Sequence, residues 1–125
     1  MAERNETGKR GELTARQYLE EKGYKVLETN WRFHRIELDI VASNGKELVI
    51  IEVKTRSGNY LIAPELAVDK KKVRRIVTAS DAYARMKGIN LPIRFDIICL
   101  IRNGDAYSVS SHIEDAFFAP IRYLS

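Results

Sequence analysis

The sequence predicts an α/β protein of the α+β type, with a mixed central β-sheet flanked by helices, and three observations carry that expectation. Two stretches with helical spacing each close on a glycine, Gly23 and Gly88. Three apolar runs, Ile36–Val41, Leu48–Lys54 and Ile93–Ile101, have the length and residue types of buried strands, although charged residues interrupt them. The elements follow the order helix, two or three strands, helix, two strands, which an α+β or three-layer arrangement accommodates.

In the first helix, Thr7 is placed to cap a segment running to about Lys22, with Gly23 as its stop and Lys22 at the negative end of the dipole. Ala15 and Leu19 fall on one face, with Tyr18 beside them. Glu12 stands at the edge of that inward face, where an acid is unusual, although a first-turn glutamate is also favoured by the dipole alone. A short strand from Tyr24 to Leu27 is expected next. Asn30-Trp31-Arg32-Phe33-His34-Arg35 then interleaves aromatics with cations, a pattern that grips a nucleic-acid strand or walls the edge of a core. Mixed use is expected, with Trp31 packed and Arg32 or Arg35 exposed.

The next two strands place acids and a lysine where burial is expected. Side chains alternate along a strand, so Glu37 and Asp39 share one side of the first, and Glu52 and Lys54 share one side of the second. An Asn44-Gly45 turn brings the two sets together. Carboxylates gathered in an apolar setting repel one another and lose hydration, so they persist where a cation or a basic partner neutralises them. The pattern points to a divalent-metal site with a lysine beside it. Cys99 is the one cysteine and lies in an apolar run, and His34 and His112 are the two histidines, which leaves oxygen ligands and a hard ion.

Thr55-Arg56-Ser57-Gly58-Asn59-Tyr60 reads as a mobile loop. A second helix is expected from about Asp69, its N-cap, to Lys87, with Val73, Ile76, Val77 and Tyr83 as its buried stripe. Its start, Lys70-Lys71-Lys72-Val73-Arg74-Arg75, holds five cations in six residues of a chain whose net charge is +4. Such a cluster attracts a polyanion, and it equally fits a solvated helix face. Asn103-Gly104 marks a hairpin into Ala106–Ser110, and Arg94 pairs structurally with Asp96 two residues along the same strand face. Phe117–Ile121 is apolar enough to pack on the domain or on a second copy.

At 125 residues, 45% hydrophobic and 30% charged, with 3 Pro and 7 Gly, the chain reads as one soluble domain over residues 1–125. No apolar run approaches the roughly 20 residues that span a bilayer, so no membrane association and a cytoplasmic location are expected. Gly-rich phosphate loops, Gly-x-Ser-x-Gly elbows and His-Glu-x-x-His helices are absent from the sequence, which removes the chemistries built on them.

A helix acid, an Asp on one strand and Glu-x-Lys on its hairpin partner resemble the PD-(D/E)XK nuclease superfamily. Here those residues are Glu12, Asp39 and Glu52-Val53-Lys54. The likeness is closer to the YraN family of endonuclease-like proteins and covers most of residues 8–101. It is carried by Gly8-Lys9-Arg10-Gly11-Glu12, Gly23-Tyr24, Asn30-Trp31-Arg32, Glu37-Leu38-Asp39-Ile40, Glu52-Val53-Lys54-Thr55-Arg56, Ala67-Val68 with Lys72, and Arg94-Phe95-Asp96. One departure is Ile36, where that family usually has Gly. The archaeal Holliday-junction resolvases are more distantly similar.

The resemblance implies a restriction-endonuclease-like core and a metal-dependent endonuclease acting on DNA, possible substrates being branched or single-stranded, with a homodimer suggested by the resolvases. It implies that Asp39 and Glu52 ligate Mg²⁺ or Mn²⁺, joined by the Val53 carbonyl and by Glu12 directly or through water, with Glu37 behind them. Lys54 orients or activates the attacking water. Arg32, Arg35, Arg56, Lys70, Lys71, Lys72, Arg74 and Arg75 are the expected nucleic-acid contacts, which position the backbone without reading sequence. The alternatives are a catalytically silent nucleic-acid-binding module of the same fold and a structural protein in which Asp39, Glu52 and Lys54 form a buried ion-pair network.

Overall fold

A computed structural model describes residues 2–57 and 70–116, with side chains from Lys9 onward. In chain order the elements are α1 (Ala2–Glu21), β1 (Lys25–Phe33), β2 (Ile36–Ser43), β3 (Leu48–Ser57), α2 (Lys70–Lys87), β4 (Ile93–Asn103) and β5 (Ala106–Ile113). The strands form one sheet in the order β1-β2-β3-β4-β5. Neighbours are antiparallel except β3 and β4, which run parallel because α2 lies between them in the chain. The expected mixed sheet flanked by helices is therefore what the chain forms.

Both helices end as their glycines dictate. Gly23 takes φ +92, its N–H reaches the Glu20 carbonyl at 3.0 Å, and the Tyr24 N–H reaches that of Leu19 at 3.0 Å. The same pair of bonds closes α2, from Gly88 to Arg85 and from Ile89 to Ala84. The start of α1 corrects the expected Thr7 cap, since the helix already begins at Ala2. Ala, Glu and Arg in that segment are good helix formers and extend it. The Asn44-Gly45 turn forms as read, with the Asn44 carboxamide oxygen accepting the Lys46 and Glu47 N–H groups.

Alternation along β3 divides the core. Leu48 and Ile50 pack with Ile76, Ala79 and Tyr83 of α2, whereas Val49 and Ile51 pack with Ala15 and Leu19 of α1. The helices thus cover opposite faces of the sheet. Trp31 belongs to the α2 side, set edge-on to Tyr83 at 5.1 Å between ring centroids, while Arg32 is exposed.

Two other boundaries differ from expectation. Asn30–Phe33 belongs to β1 rather than to a connector, because Trp31, Arg32 and Phe33 pair with Leu38, Glu37 and Ile36. Thr55, Arg56 and Ser57 continue β3 rather than open a loop, because their backbone groups pair in parallel with Leu100, Ile101 and Arg102. Gly58–Tyr60, Ala67-Val68, Asp69 and Phe117–Ile121 lie outside the described residues. Among the described residues, no helix is long and apolar enough to cross a membrane.

Candidate active site

The site forms where β2 and β3 part. Their ladder runs from Ser43↔Leu48 to Ile40↔Ile51 and stops, while β3 continues against β4 to Ser57↔Arg102. The next positions in the same register are Asp39 and Glu52. Beyond the split the Val53 N–H has lost its strand neighbour on that edge, and the Asp39 carboxylate accepts it at 2.9 Å.

Side-chain alternation along β2 is also interrupted here. Leu38 and Val41 both pack on the α2 side, three residues apart, whereas Ile40 and Ala42 pack on the α1 side. On β1, between the pairs Thr29↔Ile40 and Trp31↔Leu38, Asn30 faces this break with a left-handed φ of 53°. That conformation is strained for most side chains and least so for Asn.

Glu52 is buried and holds two ammonium groups on one oxygen. Lys72 Nζ lies 2.5 Å and Lys54 Nζ 3.5 Å from Oε1. Burial, with Lys72 beside it, pushes the Lys54 ammonium below the ordinary lysine range. Burial acts in the same direction on Lys72, but its bond to Glu52 and the surrounding acids outweigh it and raise it. Asp39 has no ion pair of its own described: burial and the charge of Glu52 push its carboxyl up to about 7, against the single bond from Val53.

Asp39, Glu52 and Glu37 line a cleft of about 440 Å³ whose other polar walls are Arg35, Lys71, Lys72 and Arg75. An anionic floor thus lies under a cationic rim. Glu37 also pairs with Arg32 at 3.7 Å. Of the remaining expected contacts, Arg56 donates to the Thr55 carbonyl at 3.1 Å, and Lys70 and Arg74 are exposed on α2 without lining this cleft. Val53 presents its side chain to the α1-side core.

Glu12 stands apart from the other acids. It lines a second cleft with Lys9, Leu13, Arg16, Thr29 and Asn30, and its carboxylate accepts a hydrogen bond from the Asn30 amide. Burial pushes Glu12 up, the Asn30 bond opposes this, and the charge of Glu37 adds to it, while Glu12 in turn raises Asp39. The four acids therefore share one electrostatic field. Among the described residues, no three His, Cys, Asp or Glu side chains are gathered closely enough to form a ready metal cage. Gly11 sets the height of Glu12 above the sheet: a Cβ there would lie 3.0 Å from Thr55 Oγ1 and 3.3 Å from Leu100 Cδ1.

Sequence reasoning missed three relationships. It placed Lys72 among phosphate contacts, whereas the side chain lies against Glu52. Asn30 enters the sequence reading through an aromatic and basic run and through the family resemblance, neither of which points to its tie with Glu12 across two elements. His112 had no assigned role, yet its Nε2 lies 2.7 Å from Asp96 Oδ2 and its Nδ1 3.0 Å from the Tyr18 hydroxyl. The Arg94–Asp96 pair itself forms as read, through a two-pronged contact at 2.9 and 2.7 Å. The 2-residue spacing gave that pair its signal, and nothing local marks the partners across the sheet.

The profile of the Uncharacterised protein family UPF0102 matches residues 11–100, which contain all the acids of the site. The chain belongs to the UPF0102 family. A UPF0102 protein of Parabacteroides distasonis is 54% identical over 122 residues, covering 98% of this chain and 100% of that relative. One from Bacteroides thetaiotaomicron is 50% identical over 121 residues, covering 97% and 99%. One from Flavobacterium psychrophilum is 42% identical over 118 residues, covering 94% and 98%. These UPF0102 relatives match over almost their whole length.

Proposed function

We infer that this UPF0102 protein is a metal-dependent endonuclease that hydrolyses phosphodiester bonds in DNA. The observation that carries this reading is that Asp39 and Glu52 line one cleft just past the end of the β2–β3 ladder, beneath a rim of Arg35, Lys71, Lys72 and Arg75. Two carboxylates facing each other in a basic cleft are poor partners for a phosphate unless a cation sits between them. The donor set fits Mg²⁺ or Mn²⁺: the oxygens are hard, and the charge of Glu52 opposes ionisation of Asp39, a conflict that a cation between the two carboxylates would relieve. Asp39 and Glu52 would hold the ion, Glu12 would contribute through the shared field, and Glu37 would support them. When bound, the ion supplies an acidified water and neutralises charge growing on the phosphate.

The chain's own residues do the rest. Lys54, its proton affinity lowered by burial and by Lys72, orients the attacking water or takes a proton from it. Arg35, Lys71 and Arg75 bind the backbone and orient the scissile phosphate. The resemblance to PD-(D/E)XK nucleases supports the same assignment of Asp39, Glu52 and Lys54.

The test is a cleavage panel of duplex, single-stranded, flapped and four-way DNA with Mg²⁺ or Mn²⁺. Cleavage of at least one substrate is expected, and Asp39→Asn and Lys54→Ala should each abolish it. Persistent cleavage by both variants, or none by the wild type on any substrate, overturns the reading. One observation favours a catalytically silent DNA-binding module instead: Lys54 and Lys72 already neutralise Glu52. That module would bind DNA and cut nothing.

A further inference from the structure

The second cleft, about 250 Å³ and built between α1 and β1, holds Glu12, but its other lining residues take no part in this chemistry. Lys9, Leu13 and Arg16 follow one another at helical spacing along α1 and form one wall, with Thr29 and Asn30 opposite. Leu13 is 54% exposed, an uncommon position for leucine, and stands between the two cations. Glu12 borders this cleft while sharing its field with Asp39 and Glu37 of the first, so the acidic cluster has a cationic groove on each side.

Glu12 in the second groove and Glu37 in the first lie close enough to act on each other, so a polymer held in the first comes within reach of the second. We propose that the Lys9–Leu13–Arg16 groove binds the phosphodiester backbone of a single nucleic-acid strand beyond the scissile position. Lys9 and Arg16 each take a phosphate, and Leu13 packs against a sugar or base between them. Arg16 is paired with Glu20 at 3.4 Å, but both side chains are about half exposed, so exchange for a phosphate sacrifices little. An apolar side chain between two cations suits an unpaired strand, which exposes sugars and bases beside its phosphates. The idea rests on the nuclease reading for its direction, and its test separates the two.

The experiment measures fluorescence anisotropy of a labelled single-stranded oligonucleotide across a salt series without divalent metal, for wild type and for Lys9→Glu/Arg16→Glu. Losing two phosphate contacts on a single strand should make the slope of log affinity against log salt shallower by about 1.4. Over a fourfold rise in salt the wild type should then lose roughly sevenfold more affinity than the variant. Metal-dependent hydrolysis of bis(p-nitrophenyl) phosphate, too small to reach the groove, should persist in the variant. Lys9→Gln/Arg16→Gln serves if the reversal variant fails to fold. An RNA of the same length, run in parallel, tells which backbone the groove takes.

An unchanged slope, or a wild type that binds no single strand, overturns the groove. A shallower slope in a protein that hydrolyses nothing overturns the nuclease reading and leaves the groove standing.

Discussion

Replacing Asp96 by Asn should remove more stability than any other single isosteric change in the sheet. The carboxylate is fully buried, takes the Arg94 guanidinium at 2.9 and 2.7 Å, lies 2.7 Å from His112 Nε2 and accepts the Asp115 N–H at 3.1 Å. Losing its charge leaves Arg94, only 12% exposed, to Glu47 at 3.2 Å and Glu114 at 3.4 Å, both far wetter than Asp96. Breaking a buried pair costs about 3–5 kcal/mol, and the two remaining acids offset part of it, so a loss of about 2–4 kcal/mol is expected. Burial pushes the Asp96 carboxyl up, but His112, Arg94 and the Asp115 N–H together hold it below the ordinary range. A folded value below the unfolded one means that its stabilisation is complete above about pH 4 and fades as pH falls through the folded value. Urea unfolding followed by circular dichroism from pH 3 to pH 8 should show a constant gap between wild type and variant above pH 5, narrowing at the acid end. A gap below about 1 kcal/mol at pH 7, or one undiminished at pH 3, would refute the reasoning.

Three further outcomes follow from the site. At pH 8 without divalent metal, Asp39→Asn should raise stability by about 1–2 kcal/mol, because it removes a desolvated carboxylate facing Glu52 while keeping an oxygen for the Val53 N–H; thermal melting checks this. Lys72→Met takes one ammonium off Glu52 Oε1 and should tighten Mn²⁺ binding about tenfold by calorimetry, whereas unchanged affinity would mean that Lys72 and the ion do not compete. Asn30→Gly relieves a left-handed φ of 53° but releases Glu12, so the melting temperature should hold or rise while cleavage falls.

Much of the fold was legible because the signals are local. Gly23 and Gly88 end their helices through their own backbone freedom, and Asn44-Gly45 turns through its own carboxamide. The β3 run alternates so cleanly between the two cores that its burial follows from residue type alone. The first turns of α1 and the end of β3 are not legible in the sequence because their polar residues look like punctuation. In both places backbone bonding continued regardless, through helix propensity at Ala2–Thr7 and through parallel pairing with Leu100–Arg102 at Thr55–Ser57. In the site, Asp39, Glu52 and Lys54 stood out by their charge in apolar runs. The positions of Lys72, Asn30 and His112 depend on how α2, β1 and β5 dock, and no spacing along the chain encodes that.

Two desolvated aspartates in the same sheet, Asp96 fully buried and Asp39 partly so, show how a structural acid differs from a candidate catalytic one. Asp96 is saturated: a guanidinium, an imidazole and an N–H surround it, and its carboxyl is held low. Asp39 receives one N–H, faces Glu52 and is pushed up to about 7. Folding alone would favour the first arrangement everywhere, since an uncompensated buried carboxylate opposes stability. The chain nevertheless keeps the second arrangement and surrounds it with further unfavourable features, among them a left-handed Asn30, an interrupted alternation along β2 and a desolvated Lys54. Unfavourable terms gathered at one point, in a cleft with a cationic rim, are what a site built to take a positive partner requires. If Asp39→Asn proved destabilising at pH 8, Asp39 would belong with Asp96 as a satisfied structural acid, and the cleft would lose its claim to chemistry.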